Sequence, residues 1–303
     1  MDLLVSVVIP THNRRELLLR AIQSVQKQTI NHLEIIVVSD GSTDGTNELV
    51  NELMTKDSRI KFISYSPSRN GNYARNQGIM ASQGEYIAFL DDDDEWLPSK
   101  IEKQVHLMES DNEIGLVYTG THSIYVDNKI EYDSFPSLQG DMRKQILYNN
   151  MVGSTTTVML RRDVLSKSGL FDEKLPAMQD YDLWIRVCQY SKVGVLSESL
   201  VNYYNYNDSG QISLDYNKYE KAYDVVNRKY EILFKQLTQK EWKRKIAGQK
   251  LFIGNKAHRC GNGLMARYYY KQSLRVFFQL KTIFFYIMSY WDYSILLKLR
   301  SYK

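Results

Sequence analysis

Residues 85–94, Glu-Tyr-Ile-Ala-Phe-Leu-Asp-Asp-Asp-Asp, join an apolar run directly to four consecutive aspartates. The apolar run predicts a buried β-strand. Four crowded carboxylates repel one another and are costly to bury unless a cation or solvent relieves them. Ligands usually bind where the strands of an α/β sheet end. We therefore predict that Asp91–Asp94 hold a divalent metal ion against a phosphate-bearing ligand; the competing interpretation is an exposed acidic turn.

Short apolar segments on both sides of this run alternate with amphipathic helical patterns. Strands are predicted, in chain order, at Val5–Ile9, Leu33–Val38, Ile60–Ser64, Glu85–Leu90, Ile114–Tyr118, Thr155–Leu160 and Val193–Leu196. Helices are predicted between them at Arg15–Gln28, Asp44–Met54, Tyr73–Ser82, Ser99–Glu109 and Asp180–Tyr190. Uninterrupted apolar strands between amphipathic helices indicate an α/β fold with a largely parallel sheet that is covered on both faces.

After Asn207 the pattern predicts helices alone. They are expected at Tyr216–Lys235, Gln239–His258, Leu264–Gln279 and Thr282–Leu299. Asn, Asp and Gly cluster in residues 205–213, which is typical of a boundary. We therefore predict an α/β domain over residues 1–207 and a C-terminal helical region over residues 208–303.

The composition is that of a folded soluble protein, with 43% apolar and 24% charged residues. Cys188 and Cys260 form neither a zinc-like spacing nor a disulfide framework, which favours a reducing compartment. The N-terminal residues 1–9 have no basic lead and run straight into a strand, so no signal peptide is predicted. We expect a cytoplasmic protein.

The charge is distributed unevenly along the chain. Residues 238–303 contain fourteen Lys and Arg against two acids, a net charge of +12, so the whole-chain value of +4 leaves −8 for residues 1–237. The ten uncharged residues between Lys281 and Asp292 are too few to span a bilayer. Two interpretations stay open: aromatic helices packed on the α/β domain, or peripheral contact with the anionic inner face of the cell membrane. No motif supports nucleic-acid binding, so that partner is not predicted.

Two polar turns follow predicted strands near the N-terminus. In the first, Pro10, Thr11 and Asn13 are candidates to line a nucleotide base, although Thr11 or Asn13 is also a suitable helix cap. In the second, Asp40 follows a buried strand, where its carboxylate would accept a hydrogen bond from a ring N–H of uracil or thymine. The alternative for Asp40 is a turn-forming residue before Gly41, with Asp44 capping the next helix.

A third motif, residues 68–78 (Ser-Arg-Asn-Gly-Asn-Tyr-Ala-Arg-Asn-Gln-Gly), opens a predicted helix towards the same edge of the sheet. Arg75 is a candidate to clamp a diphosphate; the alternative is an arginine that pairs with the acidic run. The chain has neither the dinucleotide-binding glycine fingerprint nor a P-loop.

The acidic run also resembles part of a calcium-binding loop, but Trp96 stands where such a loop needs glycine, and Pro98 interrupts it. Mn²⁺ or Mg²⁺ shared between a few carboxylates and ligand phosphates fits better.

The fourth motif, residues 178–187, places Asp180 at the start of a predicted helix. It is a candidate N-cap and also a candidate general base for an acceptor hydroxyl. None of the five histidines lies in a motif that looks catalytic, so carboxylates are expected to perform the proton chemistry.

In their order and spacing these motifs resemble those of the family 2 glycosyltransferases, which have the nucleotide-sugar-binding GT-A fold. The resemblance covers about residues 4–205. It rests on the Pro-Thr-x-Asn turn, the Ser-Asp-Gly-Ser-Thr-Asp-Gly segment, the 68–78 motif, the aspartate run with Trp96 behind it, and the later Asp-Tyr-Asp-Leu-Trp. It implies a Rossmann-like, mixed and mostly parallel sheet flanked by helices.

The resemblance also implies roles for individual residues. Pro10, Thr11, Asn13 and Asp40 would hold the pyrimidine and ribose, and Asn70 and Arg75 would belong to the nucleotide site. Asp91 and Asp92 would bind ribose, Asp93 would hold Mn²⁺ or Mg²⁺ on the diphosphate, and Asp180 would be the catalytic base. The implied reaction is a single displacement from a UDP-sugar or related donor to a saccharide or lipid-linked saccharide acceptor, with inversion, in surface polysaccharide or glycolipid synthesis.

Two departures from the family pattern leave alternatives open. Gln179 precedes Asp180 where the family usually has Glu, and residues 203–208 lack the Arg and His that the family often carries there. Because of Gln179, a sugar-nucleotide-binding protein without turnover remains an alternative. A nucleotidyltransferase remains another, because it would also use an Asp-held metal on a nucleotide, although the glycine-rich basic N-terminal loop usual in such enzymes is missing from the sequence.

Overall fold

The computed structural model describes residues 4–206 and 215–302, so the predicted boundary between residues 207 and 208 lies outside the described residues. Within these ranges nine strands form one mixed sheet. In chain order the strands are β1 (Val5–Thr11), β2 (Leu33–Asp40), β3 (Ile60–Tyr65), β4 (Tyr86–Phe89), β5 (Glu95–Trp96), β6 (Ile114–Tyr125), β7 (Ile130–Ser134), β8 (Val158–Arg161) and β9 (Lys192–Asn205). Their order in the sheet is β3-β2-β1-β4-β8-β6-β9-β5, with β7 beside β6.

The sheet changes direction at β8. Strands β3, β2, β1 and β4 are parallel to one another, and so are β6 and β9. Strand β8 is antiparallel to both of its neighbours, β4 and β6. The predicted mixed, mostly parallel sheet is confirmed, whereas the reversed direction of β8 was not predicted, because a short apolar run does not reveal which way its strand points.

Helices flank this sheet and continue beyond it. They are α1 (Arg15–Gln26), α2 (Thr46–Lys56), α3 (Gly71–Ala81), α4 (Lys100–Ser110), α5 (Arg162–Ser168), α6 (Gln179–Val187), α7 (Tyr216–Lys229), α8 (Glu231–Phe234), α9 (Gln239–Arg259), α10 (Gly263–Val276), α11 (Leu280–Met288) and α12 (Tyr293–Ser301).

Several predicted boundaries are corrected by these elements. Strands β5 and β7 and helix α5 were missed, and β9 is longer than predicted. The helix predicted over 282–299 is two helices, because Asp292 starts a new one by accepting a hydrogen bond from the backbone N–H of Ser294 at 2.8 Å. Within the described residues no helix is both long and apolar enough to cross a membrane.

Two apolar cores cover the two faces of the sheet. One contains Leu18 and Ile22 of α1 and Val105 of α4. The other contains Trp184 of α6 together with Tyr223 of α7. The first C-terminal helices therefore bury their apolar faces in the same core as the helix that carries Asp180, which fixes their position beside the strand ends.

Helix α3 lies very close to the sheet. A Cβ added at Gly78 would stand 2.3 Å from the Cγ1 of Val8, and Ala74 of the same helix is fully buried. Only small side chains let the helix approach so closely, which explains the small residues of the 68–78 motif. The N-terminus of α3 is thereby held at the ends of β1 and β2.

A buried ionic cluster joins α6 to α7 and α8. The fully buried carboxylate of Asp182 accepts hydrogen bonds from Arg186 Nη2 and from the hydroxyl of Tyr230, both at 2.8 Å. The ammonium of Lys229 lies 2.8 Å from the same carboxylate and 2.7 Å from that of Asp172. Residues far apart in sequence are thus held against the helix of the candidate base.

We expect Asp182→Asn to lower the free energy of unfolding by about 3 kcal/mol, because it removes the buried counter-charge of Arg186 and leaves Lys229 with Asp172 alone. Denaturant titration followed by circular dichroism measures this change. Asp163→Asn removes an exposed ion pair, Asp163–Lys167, and should cost less than about 0.5 kcal/mol. Equal effects of the two substitutions would contradict the importance of the buried cluster.

Candidate active site

A cavity of about 680 Å³ lies at the carboxyl ends of β1, β2 and β4. Nine of the ten residues predicted from the sequence line it: Pro10, Thr11, Asn13, Asp40, Arg75, Asp91, Asp92, Asp93 and Asp180. The tenth, Asn70, is not part of the lining. The position agrees with the rule that ligands of α/β sheets bind beyond the strand ends.

Asp40 ends β2 and is fixed by the loop before α3. It is 4% exposed, and its two carboxylate oxygens accept hydrogen bonds from Ser68 Oγ at 2.8 Å and from the backbone N–H of Arg69 at 2.7 Å. A Cβ on Gly41 would stand 2.7 Å from the backbone nitrogen of Ser68, and Gly41 has φ +68°, so glycine is required for the loops to meet. The carboxylate is thus held rigidly at the cavity wall.

Asn13 connects the turns that follow β1 and β2. Its backbone N–H donates to Ser42 Oγ at 3.0 Å, and its Oδ1 accepts from the backbone N–H of Thr43 at 2.7 Å. The predicted capping of α1 by Thr11 or Asn13 is wrong, because the N-terminus of α1 is instead bonded by Asp44, which accepts from the N–H of Arg15 at 3.1 Å. The turn is therefore stabilised across the two loops.

The four consecutive aspartates have different surroundings. Asp94 is 1% exposed, accepts from the backbone N–H of Tyr204 at 3.1 Å and does not line the cavity. Burial raises the pKa of its carboxyl group well above the usual value. The backbone N–H of Asp94 donates to the carbonyl of Asp91 at 3.1 Å, which closes the run into a tight turn.

Arginines neutralise the other aspartates. Asp91 accepts from Arg75 Nη2 at 2.6 Å, so the arginine does pair with the acidic run, but it is buried and not a surface residue, and its role at a diphosphate stays a prediction. Arg14 Nη1 donates to Asp92 at 2.9 Å and to Asp93 at 3.2 Å. Burial raises the pKa of Asp92 to about 6 although Arg14 opposes this. The expectation that all four carboxylates form one cation site is therefore wrong.

The donor set still fits a divalent ion that is also bound by phosphate. Residues 4–206 and 215–302 contain no group of three His, Cys, Asp or Glu side chains placed to hold an ion. Asp93, however, points a carboxylate into the cavity with 14% of its side chain exposed. Mg²⁺ and Mn²⁺ accept one or two protein carboxylates and complete their coordination with phosphate oxygens and water.

The asparagines of the 68–78 motif hold the loop that leads to α6. Asn70 caps α3, because its Oδ1 accepts from the N–H groups of Asn72 and Tyr73, both at 3.0 Å. Asn72 Nδ2 donates to the carbonyl of Asp172 at 2.9 Å, and Asn76 Nδ2 to that of Phe171 at 3.0 Å. The motif thus positions the segment before Asp180, and a direct contact of Asn70 with nucleotide stays a prediction.

Asp180 is the second residue of α6, which begins at Gln179 after Met178, so its prediction as the N-cap is wrong. Its Oδ2 accepts from Asn150 Nδ2 at 3.0 Å and its Oδ1 from the N–H of Tyr181 at 2.7 Å. Burial raises the pKa of the carboxyl group to about 6, while the nearby charge of Arg75 opposes this. A carboxyl group with such a pKa is suited to accept a proton near neutral pH.

Sequence reasoning missed part of the cavity wall. Asn150 comes from an irregular loop with no recognisable motif, and Tyr219, Phe252 and Lys256 come from α7 and α9. The spacing of Phe252 and Lys256, four residues apart, places both on one face of α9, which is the single sequence signal for them. The C-terminal helices therefore contribute to the cavity that the α/β part begins.

Comparison with known proteins agrees with this architecture. The model of glycosyl transferase family 2 matches residues 6–169. An uncharacterized glycosyltransferase of Rickettsia bellii is 34% identical over 200 residues, 66% of this chain and 28% of that protein, so the chain spans under a third of its length. The Escherichia coli UDP-Glc:alpha-D-GlcNAc-diphosphoundecaprenol beta-1,3-glucosyltransferase WfgD is 30% identical over 226 residues, 74% of this chain and 86% of WfgD.

Solved structures share the fold at low sequence identity. TarS of Staphylococcus aureus in complex with UDP-GlcNAc has a TM-score of 0.58 at 16% identity, over 94% of this chain and 90% of that chain. The mannosyltransferase PcManGT of Pyrobaculum calidifontis in complex with GDP-Man and Mn²⁺ has a TM-score of 0.56 at 14% identity, over 98% of this chain and 86% of that chain. The predicted GT-A fold is confirmed. Since the family model covers more than half of the chain and WfgD aligns with 74% of it at 30% identity, this protein belongs to glycosyl transferase family 2.

Proposed function

We propose that this protein transfers a sugar from a nucleoside-diphosphate sugar, a UDP-sugar by preference, to a hydroxyl group of a saccharide acceptor, with inversion at the anomeric carbon. The observation that carries the proposal is one cavity lined at once by Asp40, Asp93 and Asp180. These carboxylates supply a base-recognition group, an ion ligand and a proton acceptor in a single space.

The choice of uridine rests on Asp40. A carboxylate oxygen has two lone pairs, so each oxygen of Asp40 can accept one bond beyond those from Ser68 and Arg69. The ring N–H of uracil is a matching donor. WfgD is named for UDP-Glc and TarS is bound to UDP-GlcNAc, whereas PcManGT is bound to GDP-Man. Because these relatives differ in the nucleotide they bind, the preference of this chain for a uridine donor rests on the carboxylate of Asp40.

Asp93 would hold Mn²⁺ or Mg²⁺ together with the phosphates of the donor. A bound ion supplies positive charge that stabilises the departing nucleoside diphosphate. Arg75 contributes a fixed positive charge at the same wall, because the residue is 8% exposed and its guanidinium is bonded to Asp91 at 2.6 Å.

Asp180 would remove the proton from the acceptor hydroxyl, which then attacks the anomeric carbon from the face opposite the leaving group. Asn150 and the N–H of Tyr181 orient the carboxylate for this role. A single displacement needs no protein nucleophile. Gln179, also in the lining, cannot share the proton, so the base role falls on Asp180 alone.

The C-terminal helices would contact an anionic membrane surface, where a lipid-linked acceptor in cell-envelope polysaccharide or glycolipid synthesis would lie. Between residues 278 and 299, on α11, α12 and the turns beside them, the exposed apolar side chains are Phe278, Leu280, Phe284, Ile287, Tyr290, Trp291, Ile295 and Leu299. Exposed basic side chains lie on α10 and α11, among them Lys271 and Lys281. Aromatic and basic groups together favour the lipid–water interface. WfgD is named for a diphosphoundecaprenol acceptor.

We expect UDP with Mn²⁺ at about 100-fold excess over its Kd to raise the melting temperature by about 5 °C, measured by thermal denaturation. GDP with Mn²⁺ should raise the melting temperature less, and so should UDP with EDTA in place of Mn²⁺. Asp93→Asn should lose the part of the rise that depends on Mn²⁺, whereas Asp163→Asn should behave as wild type. Stronger stabilisation by GDP would overturn the choice of uridine, and no response to any nucleotide would overturn the function.

We expect Asp180→Asn to lower turnover by at least about 10²-fold while the Kd for UDP changes by less than about 2-fold, because the base acts on the acceptor and not on the nucleotide. Product formation and calorimetry measure the two quantities. The wild-type rate should fall as the pH decreases through about 6, since protonation removes the base. Retained anomeric configuration, seen by proton NMR of the product, would contradict the mechanism; unchanged turnover would remove Asp180 from its role.

We expect the double variant Lys271→Glu/Lys281→Glu to bind vesicles containing anionic phosphatidylglycerol at least about 30-fold more weakly than wild type, because each basic residue contributes about 1 kcal/mol at such a surface. Co-sedimentation measures the binding. Lys56→Glu/Lys167→Glu makes the same change in net charge on α2 and α5 and should bind as wild type. If wild-type protein stays in the supernatant, it does not bind these vesicles. The interpretation in which the aromatic helices pack on the α/β part would then replace membrane contact.

A further inference from the structure

Lys256 of α9 brings a positive charge to the cavity from outside the α/β part. Its side chain lines the same space as Asp180, and its Nζ lies 5.1 Å from the ring centroid of Tyr219 and 5.3 Å from that of Phe252. Arg14 and Arg75, the other cations of the lining, are each bonded to aspartates. Across residues 4–206 and 215–302, Lys256 has no carboxylate within salt-bridge distance.

The position of this ammonium group is determined by packing. Helix α9 is 21 residues long and begins with a capping box between Thr238 and Glu241. Its Ile253 is 1% exposed in the core shared with α6, next to Phe252, which packs against the same core. Residues four apart face the same way on a helix, so this packing directs Lys256 into the cavity together with Phe252.

An unpaired ammonium group in a partly apolar wall is costly unless an anion joins it. Burial and the nearby charge of Arg259 lower the pKa of Lys256 to about 8, while the charge of Asp180 opposes this. The group is therefore mostly protonated at neutral pH. The two aromatic rings are close enough for cation–π attraction, but they do not neutralise the charge. Lysine, as a point charge, is a common binder of phosphate oxygens.

We propose that Lys256 binds a phosphate group of a substrate, so that the C-terminal helices complete the site that the α/β part begins. This rests on the proposed function, which brings phosphate into the cavity from two sources. One is the diphosphate of the nucleotide donor. The other is a diphosphate that links an acceptor sugar to a lipid. In both cases Lys256 would bind the same chemical group, a phosphate that lies next to Asp180.

Three variants test this site by binding rather than by turnover. Lys256→Met removes the charge and keeps the length of the side chain, and Lys256→Arg keeps the charge. Lys250→Met is the matched control, because Lys250 lies on the same helix but is bonded to Glu220 at 3.0 Å and is not in the lining. Calorimetry with Mn²⁺ compares UDP with uridine. In protein saturated with UDP, it compares farnesyl diphosphate with farnesol.

We expect Lys256→Met to lower the affinity for one of the two diphosphate ligands, UDP or farnesyl diphosphate, by about 10-fold or more. The affinities for uridine and farnesol should not change. Lys256→Arg should recover most of the loss, and Lys250→Met should equal wild type. A loss for UDP assigns Lys256 to the donor, and a loss for farnesyl diphosphate assigns it to a lipid-linked acceptor.

If Lys256→Met changes the affinity for neither diphosphate but shifts the pH at which turnover falls, then Lys256 adjusts the pKa of Asp180. In that case the proposal is wrong. If wild-type protein binds UDP normally while Lys256→Met is indistinguishable from it in every titration, the inference fails and the proposed function stands. If wild-type protein binds neither nucleotide nor diphosphate, the proposed function fails with it.

Discussion

The buried carboxylate of Asp182 connects the helix of the candidate base to the C-terminal helices. It lies two residues after Asp180, yet it faces Lys229 and Tyr230 while Asp180 faces the cavity. One short helix therefore presents a carboxylate to the substrate space and another to a structural ion pair. The ion pair of the fully buried Asp182 carboxylate ties α6 to Lys229 at the end of α7, and the direction of Asp180 follows from how α6 is placed.

Charge balance is the second constraint on the site. The aspartate turn would repel itself if Arg14 and Arg75 did not bind Asp91, Asp92 and Asp93. A nucleoside diphosphate adds negative charge to this turn, so it would have to arrive with a cation. Across residues 4–206 and 215–302 no three His, Cys, Asp or Glu side chains are placed to hold an ion, so in the proposed function the ion would enter with the donor phosphates. The arrangement is suited to binding donor and ion together rather than storing an ion.

Much of this site was predictable because it follows strand ends. The turns after β1, β2 and β4 carry Thr11, Asp40 and Asp91, and parallel strands bring their carboxyl ends to one edge whatever the rest of the chain does. The roles of these residues stay predictions. The division of the aspartate run was not predictable, since whether Asp94 turns inward depends on the backbone N–H of Tyr204, 110 residues away. The direction of β8 escaped prediction for the same reason: no local pattern encodes it.

The contribution of α9 to the cavity is the part of the site that sequence patterns predict least well. Its basic residues indicate a charged helical region, but the pattern does not say that Lys256 turns towards the sheet while Lys271 and Lys281 on later helices face solvent. Packing makes that distinction, because α7 and α9 bury side chains in the core of α6, to which α10 adds Tyr269. Helices α11 and α12 pack with α9 and α10 around a smaller core. The same excess of positive charge thereby serves two surfaces. The inner one, at Lys256, would meet a substrate phosphate in the proposed function, and the outer one presents exposed aromatic and basic side chains. An acceptor with a phosphate between its sugar and its lipid would match both surfaces at once, with its sugar beside Asp180 and its lipid on the outer helices.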